Sequence, residues 1–129
     1  MPRPSRYLLI CTLLGLSLAW MPALLHGPIP AKYDLLYING SVAVWGWYIA
    51  RSLVGFFVGN TRWPRQWYLR GPLIGFLVIF PLTWVSLATP GCGSPCMFWN
   101  MTTATIMGIL VAGAARWLTG MSYADEPAR

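Results

Sequence analysis

The chain has 129 residues, 57% of them hydrophobic, 15% aromatic and only 9% charged, with a formal net charge of +6. Soluble domains carry about a quarter charged residues, so this chain cannot clothe a water-facing surface, and its length leaves room for a single domain. Positive charge would suggest nucleic acid in a soluble protein; here the arginines flank apolar runs, which makes them signals of membrane orientation and excludes nucleic acid as a partner.

The first apolar run, 7–25, follows Arg3 and Arg6. Basic residues before an apolar core are also the pattern of a secretory signal, but this core exceeds the usual 7–15 residues and its one small-x-small pair, Ser17 and Ala19, precedes a tryptophan. The run reads as a retained first span. A connection with Pro28 and Pro30 cannot be regular helix and forms the first outer loop. The second run, 35–58, is long enough to cross a bilayer with some tilt and contains Arg51, an aromatic patch at Trp45, Trp47 and Tyr48, and a small-residue pair at Gly55 and Gly59.

A basic stretch over 60–70 divides the chain, with Arg62, Arg65 and Arg70 interleaved with Trp63, Trp67 and Tyr68. Indole and phenol rings favour the headgroup layer while guanidinium groups hold phosphates on the cytoplasmic face. Gly71 and Pro72 open the third span, 71–88, which Pro81 should kink. An uncharged outer loop with Cys92 and Cys96 leads to the fourth span, 97–118. Apart from Lys32, every basic residue falls at the N-terminus, in or near the central loop, or at the C-terminal end. By the positive-inside rule both termini are cytoplasmic. The expected fold is an all-α integral membrane protein of four transmembrane helices in an up-down bundle, multi-pass in a cell inner membrane. Arginine for lysine at every basic position but Lys32 suggests a bacterial source.

Three groups of residues bear on function. Arg51 is the one charge well inside a span, Arg116 lying near the inner end of the fourth; it either snorkels to the inner headgroups or faces the bundle and binds an anion, a lipid phosphate or a partner's carboxylate. Arg62, Arg65 and Arg70 form a second candidate surface for lipid or a partner. Cys92 and Cys96 lie on the oxidising side of such a membrane and read first as a disulfide that staples a tight turn. With Met97, Met101 and His26 they also make a soft-metal set of the kind that takes copper, although no cofactor is required by the sequence. The spacing Cys-x₃-Cys departs from the Cys-x-x-Cys of thiol-redox sites. Ala104, Gly108 and Ala112, four residues apart, form a stripe that lets helix backbones approach closely, as do Gly55 and Gly59.

No span contains Asp or Glu, and a single histidine without paired carboxylates gives no acid–base or nucleophilic constellation. The sequence therefore favours a non-enzymatic protein that packs against other membrane chains or against itself, as an accessory subunit or an immunity or exclusion factor. A small transporter or channel for a metal ion or anion is the alternative, and a thiol-redox or copper-handling protein the third reading.

Overall fold

The computed structural model describes residues 3–21, 40–88 and 93–120, excluding the side chains of 3–4, 40–44, 85–86 and 88. These residues form four helices and no strand: α1 (Arg3–Leu18), α2 (Gly40–Asn60), α3 (Trp67–Ala88) and α4 (Gly93–Thr119). Two of them are long and apolar enough to cross a membrane, α3 over Trp67–Trp84 and α4 over its whole length; the apolar stretch of α1, Ser5–Leu18, is shorter. The expected continuation of the first span to residue 25 lies outside the described residues beyond Met21.

Helix boundaries follow local chemistry. Pro4 sits in the first turn of α1 and Pro95 in that of α4, where a missing N–H costs nothing. Arg116 lies in the last turn of α4, where a cation complements the helix dipole. Gly120, at φ +62°, then turns the chain left-handed as a C-terminal cap.

The largest departure from the sequence reading is at the start of α3. The spacing places Gly71-Pro72 in the first turn, but the helix begins at Trp67, as the Gln66 carbonyl accepts hydrogen bonds from the Leu69 and Arg70 amides. Pro72 therefore lies inside α3. Its missing N–H frees the carbonyl of Tyr68, whose residue is exposed and open to other donors. Arg70 becomes a helical residue rather than a loop residue. Further along, α3 runs through Pro81, and the Thr83 hydroxyl donates to the Phe80 carbonyl at 2.6 Å.

The helices pair as two antiparallel hairpins, α1 with α2 and α3 with α4, and these are the two largest interfaces. In the first pair the backbones meet at glycine. A Cβ on Gly15 would lie 2.7 Å from the Gly55 Cα, one on Gly55 would strike the Cys11 carbonyl, and one on Gly59 would lie 3.0 Å from the Cys11 Cβ. In the second pair, a Cβ on Gly71 would strike the Gly108 carbonyl, one on Gly75 the Ala104 carbonyl, and one on Gly108 the Gly71 carbonyl. A Cβ on Gly113 would lie 3.1 Å from the Trp67 ring.

The buried interior joins all four helices through Tyr7, Cys11, Val54, Val58, Ile74, Met107, Val111, Ala112 and Ala115. Large apolar side chains point outward on every helix, among them Leu13, Ile49, Phe56, Leu77, Trp84, Ile106 and Leu110. Large apolar side chains on the outside, with Arg51, Arg70, Thr83 and Thr103 buried inside, depart from the arrangement of a water-soluble domain.

Candidate functional site

The α2 sequence carries its one charge, Arg51, on the face that meets α4. The residue is 5% exposed. Its Nη2 donates to Asn100 Oδ1 at 2.7 Å and, at 3.4 Å, to Thr103 Oγ1, and its guanidinium lies over the Trp47 ring, 5.6 Å from the centroid. Arg51 therefore faces the bundle interior. The Thr103 hydroxyl is already committed, donating to the Trp99 carbonyl at 2.8 Å and the Asn100 carbonyl at 3.2 Å. Arg51 Nε is sealed from solvent and has no hydrogen-bond partner.

The electrostatics of this cluster are lopsided. A ring face contributes about 2 kcal/mol to a desolvated cation, and amide and hydroxyl oxygens supply dipoles, but none of these cancels a unit charge. Removing the counter-charge of a buried ion typically costs about 3–5 kcal/mol. The described residues contain no Asp or Glu; the chain's three acids, Asp34, Asp125 and Glu126, lie outside them.

A second buried arginine sits at the opposite end of the bundle. Arg70, 4% exposed in the first turn of α3, donates from Nη2 to the Tyr7 hydroxyl of α1 at 3.1 Å and lies 5.7 Å from that ring's centroid. The two arginines thus bridge between the hairpins, Arg51 from α2 to α4 and Arg70 from α3 to α1, whereas contacts within each hairpin are glycine seams. Arg62 and Arg65 stay exposed in the central turn, and Arg70 does not share a surface with them.

The small-residue stripe Ala104, Gly108 and Ala112 is buried against α3, where Gly71 and Gly75 provide the complementary face. Gly55 and Gly59 pack on Cys11 and Gly15 in the same way. Of the outer soft-ligand set, Cys96, Met97 and Met101 are half-buried in the first part of α4, while Cys92 and His26 lie outside the described residues. Cys11 is a free, buried thiol among apolar neighbours.

Sequence reasoning overlooks Asn100 and Tyr7, and reads Trp47 only as part of an aromatic patch. Asn100 was findable: an amide within an otherwise apolar stretch of α4 needs an interhelical partner, and α2 holds one obvious donor. The Tyr7–Arg70 pair was not, because both residues look like ordinary interfacial anchors.

Trp20, Trp45 and Tyr48 cluster at the α1–α2 end, with Trp20 stacked on Tyr48 at 4.4 Å between centroids and Trp45 edge-on to both at 5.7 Å. The Tyr48 hydroxyl reaches the Leu16 carbonyl at 3.4 Å. Comparison with protein-family models, characterised proteins and solved structures finds no match to this chain.

Proposed function

We propose that this protein is a four-span, multi-pass inner-membrane protein with both termini in the cytoplasm, acting without catalysis as an accessory subunit of a membrane assembly. The supporting observation is the distribution of apolar side chains. Seven of the eight tryptophans lie in the central turn or towards helix ends, Trp63, Trp67 and Trp117 on one side and Trp20, Trp45, Trp84 and Trp99 on the other, while Trp47 lies two turns inside α2 beneath Arg51. At about 1.5 Å per residue, Trp67 to Trp84 spans about 26 Å and Trp99 to Trp117 about 27 Å. A hydrocarbon layer is about 30 Å thick, with aromatic belts at its two edges. Between the belts the outward side chains are leucine, isoleucine and phenylalanine.

In this reading the two glycine seams fold the chain on itself and leave the outer apolar surfaces for lipid and for a partner chain. Extraction in mild detergent followed by native mass spectrometry tests it: the protein should carry a second protein chain, and a lone monomer would overturn the subunit role. The buried Arg51 specifically favours a second reading, a small anion transporter, which flux into protein-containing liposomes would reveal. For the outer turn we propose a disulfide between Cys92 and Cys96 that fixes α3 beside α4. Copper would require both thiols free, with Met97 and Met101 as further soft ligands.

A further inference from the structure

We infer that Arg51 is the binding site for a small monovalent inorganic anion of halide class, held at the junction of the two hairpins. The inference rests on the proposal that α2 spans a membrane, since only there is water unable to solvate the charge. Arg51 is nine-tenths buried, its Nη2 is spent on Asn100 and Thr103, and its Nε is sealed without a partner. A buried cation with unfilled donors calls for an acceptor bearing negative charge.

The chemistry of the surroundings narrows the ligand. Thr103 directs its hydroxyl at the Trp99 and Asn100 carbonyls, so it offers an anion no proton. Arg70, the other buried guanidinium, is engaged with Tyr7 on a different helix pair. Arg51 is thus the cation available at this site. A monovalent ion neutralises it, whereas sulfate or a phosphate dianion would leave a net negative charge buried and most of its oxygens without donors. A partner's carboxylate would need an approach that a residue 5% exposed does not give. The Trp47 ring covers one face of the guanidinium.

Asn100→Asp converts this into a discriminating test. A carboxylate at position 100 would accept from both Nη2 and Nε and supply the missing charge from within the chain. Thermal unfolding of the purified full-length protein in uncharged detergent is followed in sodium gluconate, then with chloride, bromide, nitrate or sulfate at constant ionic strength. The unmodified protein should show a saturable rise in Tm with chloride, bromide and nitrate but not sulfate, as linkage requires of a ligand that binds the folded state.

Asn100→Asp should have a raised Tm in gluconate and a flat response to chloride, and Arg51→Leu should also lose the response if it folds. A Tm of the unmodified protein that ignores the monovalent anions would overturn the site, as would an Asn100→Asp variant responding like its parent. An equal response to sulfate, or a response to phosphatidylglycerol alone, would overturn the ligand class. Asp34→Asn should leave the gluconate Tm unchanged; a fall accompanied by a new chloride response would make Asp34 the counter-charge and sink the proposal. The subunit reading is judged separately, because none of these measurements depends on a partner chain.

Discussion

Arg51 and Arg70 are the same kind of residue in the sequence and take different roles from those their positions suggest. Arg51 is readable as a lone charge within an apolar run from its surroundings alone. Its direction is not, because snorkelling and burial draw on the same local sequence, and the deciding partners, Asn100 and Thr103, lie 49 and 52 residues away. Inward burial changes the expectation for Arg51→Lys. An interfacial lysine would replace a snorkelling arginine with little loss, but an ammonium cannot reproduce a planar guanidinium that stacks on Trp47 while donating to two side chains. Arg51→Lys should therefore lose stability, measured by thermal unfolding in detergent with chloride present; parent-like stability would restore the snorkelling picture. In the Arg70 pair, Tyr7→Phe removes one acceptor of Arg70 and keeps the ring. Hydrogen bonds to charged groups contribute about 1.5–3 kcal/mol, so a loss of that order is expected, and no loss would mean that the hydroxyl is not what anchors Arg70.

Between elements, packing is set by where backbones can touch. The α4 stripe is legible from its four-residue repeat, and so is the shorter Gly55–Gly59 pair. Their complements are not. Gly15 stands alone among leucines in α1, and Gly71 reads as a helix-start signal beside Pro72, which also conceals its spacing to Gly75. The obstacles at these glycines are carbonyls and Cα atoms, which cannot swing aside as side-chain ends do. Gly75→Val should cost about 1–3 kcal/mol or more, seen as a lowered midpoint in denaturant-titrated detergent. Gly46 has nothing within 4 Å of an added Cβ, so Gly46→Ala should gain up to about 1 kcal/mol from helix propensity. Equal effects at the two positions would rule out a glycine seam. The α3–α4 turn adds a covalent expectation: alkylation without reductant, followed by mass spectrometry, should leave Cys92 and Cys96 unmodified, and two labelled outer thiols would refute the staple. Such a short loop gains little from chain entropy, so the double Cys→Ser variant should still insert normally.

For the whole molecule, four helices with large apolar side chains on their outer faces agree with the proposed arrangement in a bilayer. The all-helical composition is legible because apolar length is a strong signal; the start of α3 is not, because Trp67 to Arg70 have the composition of a loop. The central claim is that the chain crosses the membrane four times with its basic segments inside. Paired reporter fusions, one active only in the cytoplasm and one only outside, test it directly. Fusions after Gly71 and Arg129 should report cytoplasm, and those at Ala31 and Ser94 the outside; an outward signal after Gly71, or the same side for Gly71 and Ser94, would contradict the four-span account.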